Sequence, residues 1–431
     1  VKNTRAMTVT ALTALTVSLS GAIAPAASAA GDDGPVTKSS DAFAGSRAAK
    51  SVDTKATFDR IVQKLPADWQ ARRDAARTKL NIDESPVERA LRSKLAKAAA
   101  AGKGTPNVID PTQYQCGPTK LDAYVDSILA GTDAGNLQLL SMLGALDAPT
   151  YDAILFGTAK GAGYQLLPAY KTSLTSTFGT AQRFWDVRLN DVQLMAMHGQ
   201  MVVDENRLAA TVQYMYGVGA ADAKDIARDM ISMVRSDPAL KNGKNPIFTL
   251  NAFAFSGKGD PDPVIRKQKD KMVFGDGILA ALKAIGLNQV GPKAVLGHEM
   301  AHHVQYEDAL FDNTDLTGPE ATRRTELMAD SFGTYFVTHK KGLAMTPKQI
   351  LQTEESFYDV GDCAFDNDGH HGTPNQRRAA AAWGAAVVAY SDYPNRVLPS
   401  MSLATKFDKV LPELVKPDAP TSIEAYRSAA K

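Results

Sequence analysis

The chain has 431 residues, 44% hydrophobic and 22% charged, with 48 Lys plus Arg against 47 Asp plus Glu. Such a composition belongs to a globular protein with a substantial buried core and two or three folding units, and it excludes collagenous and disordered classes. A net charge of +1 creates no field of either sign to gather nucleic acid or anionic lipid, so no nucleic-acid partner is expected.

The first elements read as an export signal. Lys2 and Arg5 precede a run of Ala, Thr, Val and Leu from Ala6 to Ala24, then Pro25 and the small triplet Ala27-Ser28-Ala29. That is a basic start, an apolar stretch and an A-x-A cleavage site, so residues 1–29 are expected to be a signal peptide and the protein to be secreted. The rival, a membrane anchor, is disfavoured by the Thr and Ser residues and by Pro25. No later stretch is apolar for long enough to span a bilayer, so no stable membrane insertion of the mature chain is expected. Val1 fits a bacterial chain begun at a GUG codon.

Residues 30–105 read as a flexible arm followed by N-terminal helices, either a propeptide or a solvated helical pair. Within them Ser85-Pro86-Val87-Glu88 has the order of a capping box with proline at the first helical position. Residues 106–245 form a helical region, with amphipathic segments at Leu121 to Leu129, Leu137 to Leu146, Val187 to Met201 and Ala221 to Val234. The period then changes. Ile247 to Phe255 is rich in strand formers between Pro246 and Gly257, and Lys271 to Phe274 is a second strand that runs into a helix from Ile278 to Ile285. Between them Gly257 to Asp270 is a polar insertion, expected as an exposed loop. Residues 246–390 are the expected catalytic domain, and 391–431 a helical tail. Cys116 and Cys363 are the two cysteines; in an exported protein they form either one disulfide or two buried thiols.

The chemistry lies after Pro292, which opens an apolar-periodic helix carrying His298-Glu299-Met300-Ala301-His302-His303. Histidines four apart on a helix project from one face one turn apart, so His298 and His302 can bind one ion together. Glu299 is rotated about 100° from His298, beside the metal rather than on it, where a general base belongs. A His₂Glu zinc site takes its third ligand from elsewhere in the chain, and a further carboxylate orients one imidazole. Glu326 and Asp330, again four apart on a helix that starts near Pro319, suit those two roles, with Glu320 the rival ligand. His303 points about 100° away from His302 and is expected to support or pack. His198 and His339 are expected to be structural or solvated. The acidic loop Asp366-Asn367-Asp368-Gly369 fails the calcium-loop register, with Ala364 at the first ligand position and Asn375 where a glutamate belongs.

These residues resemble the gluzincin zinc metallopeptidases that include the HtpX-like and CAAX prenyl proteases, and also the bacterial neutral zinc metallopeptidases with a His-Glu-x-x-His-His-Val-Gln helix. Four blocks carry the likeness in order: Asn251-Ala252-Phe253-Ala254, Gly277-Ile278-Leu279, the His298 to Asp330 pair of helices, and His371 with Arg377 six residues on. The likeness spans about residues 247–390 and departs at Ser256-Gly257-Lys258-Gly259, where the family pattern has Pro-Gly-Gly. It implies an α+β, mostly helical fold with a small zincin-like sheet on the zinc helix. It also implies one Zn²⁺ per chain and oxyanion-stabilising roles for His371 and Asn251. The expected activity is a metalloendopeptidase acting on protein or peptide substrates, with Glu299 as base. The alternatives are a zinc hydrolase of a non-peptide bond and a non-catalytic exported binding protein with a vestigial site.

Overall fold

The computed structural model describes residues 52–82, 86–91, 113–114, 116–311, 314–363, 365 and 369–431. The expected signal peptide, the arm from 30 to 51, the linker around 98–104, Ser85 and the acidic stretch 366–368 lie outside the described residues. The chain from Ser51 to Lys431 clusters as one compact unit, and its described residues are mostly helical, with one three-stranded sheet among them. Among the described residues no helix is long and apolar enough to cross a membrane.

The N-terminal half is helical: α1 (Thr54–Lys64), α2 (Trp69–Lys79), α3 (Lys120–Leu129), α4 (Ala134–Met142), α5 (Ala148–Leu155), α6 (Pro168–Phe184), α7 (Glu205–Tyr216) and α8 (Ala220–Ser236). Side-chain caps start several of them. Asp53 accepts from the Ala56 N–H, Asp133 from Asn136, and Thr119 with Asp122 closes a capping box at α3. Phe58, Ile61, Trp69, Leu137, Tyr216 and Met230 share one buried core, with Trp69 edge-on to Tyr216 at 6.2 Å. Helices α1 and α2 therefore contribute to a core and are not merely a solvated pair.

The second half supplies α9 (Asp276–Ala284), α10 (Gly291–Glu307), α11 (Pro319–Thr338), α12 (Pro347–Val360), α13 (Pro374–Ala389) and α14 (Ser400–Leu414). Its core joins Phe184 and Trp185 to Leu296, Met300, Phe332, Phe336, Trp383 and Phe407. The sheet has the order β1–β3–β2, from β1 (Gln193–Met197), β2 (Ala252–Phe255) and β3 (Lys271–Gly275). β1 lies parallel to β3 and β2 antiparallel to it, with Ala254 opposite Met272. β3 is buried along its whole length, while β2 is an outer strand.

Three sequence expectations are corrected. Val187 to Met201 is not a helix: it holds β1 and the 3₁₀ turn Gly199–Val203. Leu194 and Ala196 pack on the second core, while Met195 and Met197 pack on Ala153 and Val273. With both faces apolar the period-2 signal vanishes, and Leu, Met and Ala favour helices when read alone. The strand expected over Ile247 to Phe255 is only Ala252–Phe255, because Pro246–Phe248 turns as a 3₁₀ segment capped by Asn245. The Gly257 to Asp270 loop carries one helical turn, Pro263–Arg266, capped by Asp262.

Lys271, at the start of β3, is buried and donates from Nζ to the Ala153 carbonyl at 3.1 Å and to that of Ile154. Cationic Nζ thus meets the negative end of α5, although burial lowers its pKa to about 8. Cys116 and Cys363 form a disulfide with Cα atoms 6.0 Å apart. It fastens the stretch just before α3 to the loop after α12, next to the Thr119 hydroxyl, which donates to the Asp359 carbonyl at 3.0 Å.

The bond closes a loop of 247 residues, for which the chain-entropy view sets an upper limit of about 5 kcal/mol. Cys116→Ser should therefore lower the melting temperature while leaving far-ultraviolet circular dichroism intact. The denatured, unreduced parent should take up no alkylating agent.

Candidate metal centre

Two helices bring the site together by crossing unusually closely. A Cβ on Gly333 of α11 would stand 2.8 Å from the His298 backbone nitrogen on α10, and one on Gly384 of α13 would stand 2.2 Å from the Ser331 carbonyl oxygen. Both are closer than a side-chain carbon can sit, so α11 is pressed between α10 and α13 with glycine at each contact. Glu326, Asp330 and Gly333 recur along one face of α11 at helical spacing, so the close crossing carries both carboxylates to His298.

His298 Nε2 lies 3.0 Å from His302 Nε2, and Glu326 reaches them at 3.4 Å and 3.3 Å with its two oxygens. Their second nitrogens are both engaged. His298 Nδ1 lies 2.9 Å from Asp330 Oδ1, and His302 Nδ1 lies 2.8 Å from Gln305 Oε1. Gln305 donates from Nε2 to the Thr325 carbonyl at 2.8 Å, so its oxygen is the acceptor and His302 donates. With both Nδ1 atoms held by acceptors, both Nε2 atoms face each other and a carboxylate, an arrangement that a shared cation would suit. The three residues could hold a metal ion. Tetrahedral bonds of about 2.0–2.1 Å place ligand atoms roughly 3.3 Å apart, close to the separations found.

Arg377 on α13 completes the support. It donates from Nε to Asp330 Oδ2 at 2.7 Å and from Nη2 to Oδ1 at 2.8 Å, and Nη2 lies 3.6 Å from Glu326. Asp330 is fully buried, and a two-pronged guanidinium is the partner such a carboxylate needs.

The electrostatics follow from burial and these partners. Burial alone would raise the Glu326 carboxyl, but His302, His371 and His298 hold it well below the usual range. Burial opposes charge on His298, yet its bonds to Asp330 and Glu326 outweigh that and carry its pKa up to about 10. Glu299, also buried, is raised by desolvation, with both histidines and the Ala254 backbone drawing the other way.

Glu299, Asn251 and His371 line one cavity with the three potential ligands. Its volume, about 420 Å³, suits a ligand of drug or short-peptide size. β2 forms one wall. His371 is held from behind, its Nδ1 3.0 Å from Asp362 Oδ2, while the same carboxylate takes His370 Nδ1 at 2.7 Å. Burial would lower the His371 pKa, but the charges of Glu326 and Asp362 raise it.

The remaining candidates fall elsewhere. Glu320 pairs with Arg323 at 3.1 Å and is 39% exposed, so it takes no part. His303 Nε2 donates to the Lys271 carbonyl at 3.0 Å and ties α10 to the sheet; burial lowers its pKa to about 4. His198 bonds Asp276 and the Gln165 carbonyl, and His339 lies beside the Arg396 carbonyl. Two supporting residues escaped the sequence reading. Gln305 stood three residues after His302, a spacing that could have pointed to it; Asp362 had no local signal.

Comparison of the chain with protein-family models, curated proteins and solved structures finds no match.

Asp330→Asn keeps shape but loses the charge behind His298, and metal affinity should fall about 10 to 100-fold in competition titrations. Gly333→Ala, which removes no ligand atom, should also weaken metal binding by pushing α10 from α11. Unchanged affinity in Gly333→Ala would refute the role given to the crossing.

Proposed function

We propose that the chain is a secreted zinc-dependent metalloendopeptidase of the gluzincin type. The observation that carries this reading is a separate buried carboxylate, Glu299, lining the same cavity as two imidazole nitrogens and Glu326 at near-tetrahedral spacing. Two nitrogens and one carboxylate oxygen are the donor set of catalytic zinc sites, which leave a fourth position for water or substrate. A zinc ion there supplies a bound water of near-neutral pKa and polarises a carbonyl.

The chain's own residues then do the proton work. Glu299 accepts the proton of the attacking water, and its raised affinity for protons suits it to pass that proton to the leaving amine. Asp330 and Gln305 hold the imidazoles by Nδ1, which would leave Nε2 of each to take the metal. His371, its Nδ1 facing Asp362, is positioned to give a hydrogen bond to the carbonyl oxygen as that oxygen gains charge, and Asn251 is assigned to assist.

The substrate assignment rests on β2. Residues from Leu250 to Ser256 line the cavity, and an outer strand offers backbone N–H and C=O groups to which an extended peptide can add as a further strand. A compact non-peptide ester would have no use for that wall.

Glu299→Gln should keep its zinc, measured by elemental analysis, and lose hydrolysis of a quenched peptide library. A variant that stays active would overturn the assignment of the base, and a parent that cuts no peptide would overturn the peptidase reading.

His371→Ala is expected to bind zinc as the parent does and to lose about 10² to 10³ in kcat with little change in KM, since the bond it supplies strengthens only in the transition state. His370→Ala, altered at the neighbouring position, is the control. Equal kinetics in the two variants would count against the role.

A further inference from the structure

We infer that Leu80, Asn81, Ile82 and Pro86 are a permanent part of the substrate cleft and help to build an apolar subsite for a side chain of the substrate. The inference rests on the peptidase reading for the nature of its ligand, but the subsite itself is composed of residues far from the metal in sequence.

The cavity that holds His298, Glu299, His302 and Glu326 is also lined by Leu80, Asn81, Ile82 and Pro86. Ile82 is only partly buried, as are Phe253 of β2 and Val360 at the end of α12; all three pack on the N-terminal core and line the cavity. Three separate stretches of chain thus each turn a partly accessible apolar side chain to the same cavity, whose lining also includes Lys79, Arg89 and Asp260. Partly covered apolar groups facing a cavity gain most by receiving an apolar partner there.

Asn81 and Ile82 are firmly held. Asn81 adopts a left-handed conformation, φ 49°, which turns the chain out of α2. Arg77 then grips the next residue from both sides: its carbonyl accepts the Ile82 N–H at 3.1 Å, and its Nε donates to the Ile82 carbonyl at 3.1 Å. The same guanidinium binds Glu88 at 2.6 and 2.9 Å and Asp147 at 2.8 Å, locking residues 86–91 to the helical half. Lys79 reaches Asp262 at 3.4 Å and joins the segment to the loop that follows β2. Removal of residues before 105 would strip Phe58, Ile61, Leu65, Trp69, Leu80 and Val87 from a core they share with α7 and α8. A removable propeptide is built to leave with less damage, so these residues are assigned to the working protein.

The test uses zinc-loaded full-length protein, so that it does not depend on turnover. Binding of acetohydroxamate, triglycine hydroxamate and trileucine hydroxamate is measured by calorimetry on the parent, Ile82→Val, Ile82→Ala and Ile82→Asp. All three probes offer the same metal-binding group, and the trileucine compound alone carries apolar side chains. Trileucine hydroxamate should bind the parent on the order of 10-fold tighter than triglycine hydroxamate or better. That advantage should survive in Ile82→Val, shrink in Ile82→Ala and vanish in Ile82→Asp, with acetohydroxamate binding all four proteins alike. An advantage that persists in Ile82→Asp would overturn the inference alone. Failure of acetohydroxamate to bind the parent would instead sink the metal reading, and the subsite with it.

Discussion

The close crossing of α10 over α11 is the constraint on which the rest of the site depends. Gly297 meets Gly333 there, and α11 is held on its other side by the contact of Gly384 with Ser331. Helices normally pack 8–10 Å apart because side chains separate them. Where both surfaces are bare, a carboxylate on one helix can reach an imidazole on the other without stretching. Glu326 and Asp330 do this, one turn apart, so a single crossing brings both a potential ligand and a supporting carboxylate to the histidines.

Bringing four ionisable side chains into a buried place costs desolvation free energy, and the surrounding bonds offset it. Asp330 sits between His298 and Arg377, while His302 is held through Gln305 to the Thr325 carbonyl. Every one of these partners comes from α10, α11 or α13. The same charges explain the contrast between the two glutamates: Glu326, among histidines, is held well below the usual carboxylate range, while desolvation prevails at Glu299 and raises it. A ligand needs its negative charge and a proton carrier needs affinity for protons, so the two environments match the two roles proposed.

The helical half is more than a scaffold. Its α7 and α8 share a core with α1 and α2, it supplies the β1 strand that pairs with β3, and it lines the cleft through Leu80, Asn81 and Ile82. Lys271 and the Cys116–Cys363 disulfide each tie the two halves together, the first through the end of α5 and the second beside the loop that carries Asp362 and His371. Ser51 onward accordingly behaves as one compact unit.

How much of this was legible in the chain depended on the range over which each signal acts. Spacing along a helix is local, so His298 with His302, Glu326 with Asp330, and the helix starts at Pro292 and Pro319 could be read directly from residue order. The even cysteine count left a disulfide and two buried thiols both open, and the approach of Cys116 to Cys363 decided between them. Strand β1 could not be read, because burial on both faces erased its alternation, and the expected strand at Ile247 to Phe255 was shortened by the turn at Pro246. Sequence alone determined which side chains could ligate, act as base or form a disulfide, since those properties belong to residue types and to positions a few residues apart. Only the tertiary structure decided that Gly333 lets α11 close on α10, that Arg377 and Asp362 stand behind the histidines, and that Ile82 faces the metal cavity. Those relations join residues tens to hundreds of positions apart, and burial and packing, not spacing, bring them into contact.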